Sequence, residues 1–146
     1  MSTEQNKALA QRFFEEVCNG RKLTVADELF SADHSYHDPA TPGAKPGPQG
    51  MKETMGAYQT AFGDARWRVE EMVAAGDNEV VTRWTGQGTH TGELFGIAPT
   101  GKRVAVVGIW VHRIAAGRIV ESWNVWDALG MMQQLGVVPP MGSSGR

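Results

Sequence analysis

Side chains suited to proton transfer or carbonyl recognition gather at strand ends and loop starts in this chain. Asn124 stands in ESWNVWD, residues 121–127, between Trp123 and Trp126 and ahead of Asp127. An asparagine exchanges no proton near neutral pH, yet its amide can donate a hydrogen bond to a carbonyl that becomes an enolate. The same amide can instead satisfy backbone or indole groups at a strand end. His37 and Asp38 open the proline- and glycine-rich stretch HDPATPGAKPGPQG, from which either can reach a cavity mouth as an acid or base. Asp38 ahead of Pro39 equally suits an Asx-turn. His112 shares a strand face with Trp110, two residues earlier, and reads either as a proton shuttle or as a hydrogen-bonded structural histidine. His90, in GQGTHTGELFG at a strand end, is a candidate ligand contact. No lysine follows those glycines at phosphate-loop spacing.

Other chemistries find little support. No serine occupies a GxSxG elbow, and the lone Cys18 sits among apolar helix neighbours with no activating partner. His34 and His37 are three apart, which on a strand points them to opposite faces, so no metal site is expected. The chain has five tryptophans and five phenylalanines, more than a minimal core of this length needs. Trp84, Trp110 and Trp126 all fall on late strands, where together they can wall a cavity for a flat apolar ligand.

These residues need elements to position them. Leu9, Ala10, Phe13, Phe14 and Val17 recur at helical spacing from Thr3 to Cys18, with Asn19-Gly20 as the expected left-handed stop. A short helix is expected behind Thr24 as N-cap, and a third over residues 51–62 opened by Pro48. Strand patterns follow: RWRVEEMVAAG turning at Gly76-Asp77-Asn78 into EVVTRWTGQGTH, then VAVVGIWVHRI turning at Ala116-Gly117 into RIVESWNVW. Asp127 can cap a last helix, ALGMMQQL, ended by Gly136. Helices first and a meander afterwards predict an α+β domain, helices packed on one face of a curved antiparallel sheet. From Val104 to Val111 both strand faces are apolar. A half-wet sheet would alternate, so the second face predicts a homodimer.

At 146 residues the chain suits one domain, residues 1–140, with 141–146 as a disordered tail. A net charge of −2 offers no basic stripe for nucleic acid. The longest apolar run, VAVVGIWV, is far short of the roughly 20 residues that span a bilayer, so no membrane partner is expected and the default compartment is cytoplasmic.

The run GTHTGELFGIAPTGKRV, followed by IWVHRIAAGRIVESWNVWDALGMMQQLG, resembles the SnoaL-like polyketide cyclases and the broader ester cyclase group of the nuclear-transport-factor-2-like superfamily. The resemblance runs from the first helix through DPAT and GPQGMKE to QQLG. It implies a cone-shaped α+β fold round a pocket, usually dimeric, and cofactor-independent acid/base chemistry of the cyclase, isomerase or lyase type on a small apolar carbonyl or polycyclic substrate. In those enzymes the last strand carries an acid/base aspartate and the preceding strand a histidine; the matching positions here are Asn124 and Trp110. Both departures leave open a base elsewhere, a noncatalytic binding or assembly module, or an accessory role in aromatic polyketide hydroxylation.

Overall fold

The computed structural model describes residues 2–142. Residues 143–146 of the expected tail lie outside them. Helix α1, Thr3–Arg12, begins on a capping box: the Ser2 hydroxyl accepts from the Gln5 N–H at 3.1 Å, and the Gln5 side chain accepts from the Ser2 N–H at 2.8 Å. The helix then widens into a π-helical segment, Phe13–Asn19. The left-handed stop falls one residue later than expected, at Arg21 with φ +58°, while Gly20 stays right-handed. Position 20 needs glycine for room instead, since a Cβ there would lie 2.7 Å from the Glu16 carbonyl oxygen. Thr24 caps nothing: Leu23–Val25 forms a 3-10 turn that runs directly into α2, Ala26–Leu29.

The sheet is where the sequence reading needs its main correction. Strand β1, Phe30–His37, pairs parallel with the last strand, so the five-stranded open sheet is mixed instead of wholly antiparallel. Its inward residues are Phe30, His34 and the half-buried Tyr36, and the exposed Ala32 between them interrupts the pattern, so the strand carries no clean apolar alternation to detect. Helix α3, Pro48–Ala61, starts on the expected proline and bridges β1 to the hairpin of β2, Arg66–Ala75, and β3, Glu79–Thr89. Gln59 on α3 donates to the carbonyls of Val17 and Cys18 at 2.8 and 2.9 Å, satisfying acceptors in the π-helical turn.

Strands β4, Arg103–Ala115, and β5, Arg118–Trp126, join through Ala116 and Gly117, both at positive φ as a two-residue type I′ turn demands. The sheet order is β1-β5-β4-β3-β2. Between Ile119 and Glu121 the pairing slips, leaving Val120 as an extra residue. That bulge inverts the phase of β5: Ile119 faces the core before it, and Ser122, Asn124 and Trp126 face inward after it.

Phe13, Phe14 and Val17 pack with Phe30, Val80, Trp84, Trp110, Ile114 and Ile119 to form the main core between helices and sheet. Asp127 caps α4, Ala128–Leu135, by accepting from the Gly130 N–H at 2.8 Å, and Gly136 ends it at φ +84°. Where β5 has ended, Gln134 pairs with the free edge of β4, donating to the Ala105 carbonyl at 2.9 Å and accepting from its N–H at 2.8 Å. Met131 and Leu135 of the helix thereby pack with Val104, Phe62 and Leu94. Among the described residues no helix is long and apolar enough to cross a membrane.

Candidate functional site

The cavity between sheet and helices is made by glycines as much as by aromatics. A Cβ on Gly108 would lie 2.6 Å from the Trp84 ring and 2.7 Å from Trp126 Cβ, and one on Gly86 would lie 3.0 Å from the same indole. Their absence lets Trp84 lie close over the sheet. Trp84, Trp110, Trp126, Tyr36, Tyr58 and Met131 are among the residues that wall the resulting space of about 60 Å³, room for several water molecules. Asn124 lines it too, 5 % exposed, at the position the β5 bulge brings inward.

Asn124 is held in a chain of donors that runs one way. Trp84 Nε1 can only donate, and it points at Asn124 Oδ1 across 3.3 Å. This fixes the amide so that Nδ2 donates to the Tyr36 hydroxyl oxygen at 3.2 Å. Tyr36 passes its own O–H to Asp38 Oδ2 at 2.6 Å. Asp38 also accepts from Trp126 Nε1 at 3.3 Å and from the Ala40 N–H at 2.8 Å. The last of these is the Asx-turn contact ahead of the loop. Asp38 is buried, standing behind Tyr36 and Trp126 instead of facing the cavity directly.

Burial first, then the neighbouring Asp38, pushes the Tyr36 phenol well above its usual range, so it stays protonated at any physiological pH. Burial and Asp38 push Tyr58 up likewise. Its hydroxyl is buried with no hydrogen-bond partner among the described residues. An unpaired buried hydroxyl costs about 1–3 kcal/mol, which a polar ligand atom would offset. Tyr58 meets Trp126 edge-on at 5.7 Å between ring centres, and Tyr36 stacks on Trp110 at 5.3 Å.

Three expected site residues stand elsewhere. His37 points to the outer face of β1, stacked on Trp123 at 5.3 Å and hydrogen-bonded to Glu121 at 2.8 Å, because only even steps from Tyr36 face inward. His112 faces inward but sits deeper than Trp110, sealed in the core. Its Nδ1 lies 2.7 Å from Ser122 Oγ, which lies 2.8 Å from His34 Nε2 on the other side. Burial holds both imidazoles neutral, pushing His34 down to about 4, with His37 repelling further, and His112 down to about 3, with His34 repelling further. His90 anchors a loop: its Nδ1 accepts from the Thr100 N–H at 3.2 Å, and its ring packs on Phe62, which itself lines the cavity.

The tyrosines escaped the sequence reading. Tyr36 was legible only through the two-residue spacing of His34, Tyr36 and Asp38, a strand signal that carries no hydrophobic alternation. Tyr58 carried no distinguishing signal, since an aromatic on an amphipathic helix reads as core.

The fold is shared with solved structures. IdmH from Streptomyces antibioticus, labelled a polyketide cyclase, is 31% identical over 90% of this chain and 99% of its own, with a TM-score of 0.76. A protein labelled polyketide cyclase from Acidithiobacillus ferrooxidans is 27% identical over 91% of this chain and 95% of its own, with a TM-score of 0.80. AclR from Streptomyces galilaeus, labelled a hydroxylase, is 26% identical over 95% of this chain and 85% of its own, with a TM-score of 0.81. No curated protein matches the chain. The family described as SnoaL-like polyketide cyclase matches residues 8–135, most of the chain. An open α+β sheet behind N-terminal helices, an aromatic cavity and this match together place the chain in the SnoaL-like polyketide cyclase family.

Proposed function

We propose that this chain is a cofactor-independent acid/base enzyme of the cyclase, isomerase or lyase type, acting on a small apolar carbonyl compound held in the aromatic cavity. The observation that carries the proposal is the one-way donor chain from Trp84 through Asn124 and Tyr36 to Asp38. A substrate carbonyl oxygen docks on the second Nδ2 hydrogen of Asn124. As the C–H electron pair moves into the carbonyl, the α-proton passes to Tyr36 Oη and the Tyr36 proton passes to Asp38 Oδ2. The developing enolate stays hydrogen-bonded to Asn124, a donor worth about 3 kcal/mol of barrier. Asp38 thus supplies the basicity that Asn124 lacks, and the phenol carries it into an aromatic-walled cavity.

Hydrogen–deuterium exchange at the α-carbon of acetophenone in D2O, followed by NMR, tests this. Wild type should accelerate exchange, and Asp38→Asn and Tyr36→Phe should each lower that acceleration by about 100-fold. Full activity in Asp38→Asn would refute the relay. Binding of acetophenone with no exchange by wild type would favour a noncatalytic binding module instead.

The outer face of the sheet supports a homodimer. Val107, Ile109 and Val125 are 57, 48 and 63 % exposed, and Ile109 lies directly across from Val125 in the β4/β5 register. An apolar patch of this kind on a sheet is best covered by its own copy about a two-fold axis.

A further inference from the structure

We propose that Phe95 is a specificity-determining residue, a rigid apolar lip that holds the part of a substrate too long for the cavity. The inference rests on the ligand-binding reading of that cavity given above. Phe95 has φ +51°, a left-handed conformation that costs a bulky side chain energy and that glycine adopts freely. It occupies the first central position of a two-residue turn, with Gly96 at φ +79° in the second. Leu94 and Ile97 close that turn with reciprocal backbone hydrogen bonds of 3.1 and 2.8 Å. Glu93 tightens it further by accepting from the Gly96 N–H at 2.6 Å.

Type I′ turns favour asparagine or glycine at this position, so a phenylalanine works against the local backbone. Its ring gains little burial in return, being 48 % exposed. The neighbouring Leu94 does the anchoring, 2 % exposed in a cluster with Phe62, Val104, Met131 and Leu135. What Phe95 touches is Tyr58, edge-on at 6.1 Å between ring centres, and Tyr58 is a cavity wall. An exposed aromatic is therefore held, at a backbone cost, against a tyrosine that walls a cavity of only about 60 Å³. A one-ring ketone seats its carbonyl end there and fills the space to its mouth. In this proposal a longer substrate extends past Tyr58 onto Phe95.

Calorimetric titration with acetophenone, one ring, and chalcone, two rings joined by an enone, tests the lip. Phe95→Gly should raise the urea midpoint by relieving the turn, weaken chalcone at least tenfold and change acetophenone less than twofold. Phe95→Tyr, which keeps the ring, should restore chalcone affinity. Unchanged chalcone binding in Phe95→Gly, or equal loss of both ligands, would overturn the lip while leaving the cavity reading intact. Failure of acetophenone to bind wild type would instead overturn the cavity reading, and the lip with it.

Discussion

Replacing Asn124 with aspartate places a second carboxyl on the same phenol. In the native site Tyr36 receives a hydrogen bond from Asn124 Nδ2 and gives its own proton to Asp38. An aspartate at 124 keeps the acceptor for Trp84 but has no hydrogen for Tyr36, and both carboxylates then compete for one O–H. The new group is as buried as the amide it replaces, 5 % exposed, and a like charge stands one hydroxyl away. Desolvation and repulsion both favour its protonated form, raising its pKa by about 2–3 units over an unfolded value near 4. At pH 7 the variant should therefore be less stable than wild type by about 3–4 kcal/mol. The sign follows from proton counts: between about pH 4 and the raised pKa the folded variant binds more protons than the unfolded chain. The deficit should shrink as pH falls through that window, by about 1.4 kcal/mol per pH unit. Urea unfolding by tryptophan fluorescence at pH 8, 7, 6 and 5, read as variant minus wild type, cancels the contributions of other titrating groups. A pH-independent deficit, or one under about 0.5 kcal/mol at pH 7, would refute the buried, phenol-bridged placement of residue 124.

Other outcomes follow from the same geometry. Wild type itself should lose stability as pH falls below about 6.5, because His34 and His112 stay neutral to about 4 and 3 in the folded protein but protonate in the unfolded one. A Ser122→Ala variant should keep that slope, since burial is its main cause, and a flat acid limb above pH 4 would contradict the buried assignment. Gly108→Ala should cost about 1–3 kcal/mol by chemical denaturation and weaken acetophenone binding, because the added methyl would lie 2.6 Å from the Trp84 ring. Val107→Lys should shift the protein from dimer toward monomer in sedimentation; a wild-type monomer at micromolar concentration would dispose of the dimer.

The sequence by itself determined the order of the helices and of the four late strands, both late hairpins, the caps at Asp127 and Gly136, and the aromatic character of the cavity, because each is written in local chemistry. A helical stripe, a left-handed glycine or an N-cap aspartate needs only neighbours within a few residues. It also singled out Asn124, whose polarity stands out in an apolar strand. Only the tertiary structure decided what that amide meets. Tyr36 reaches it from β1, 88 positions earlier in the chain, with Asp38 behind it just past the strand's end, through a parallel pairing with β5 that β1, lacking a clean apolar alternation, does not advertise. The bulge at Val120 is equally silent in sequence, yet it sets the face on which Ser122, Asn124 and Trp126 lie. His37 and His112 show the limit most directly. Residue type made both credible acids or bases, but one step of strand parity put His37 on the outer face and one more turn of depth sealed His112 in the core. Parity and depth are properties of pairing between distant segments, which no local pattern encodes.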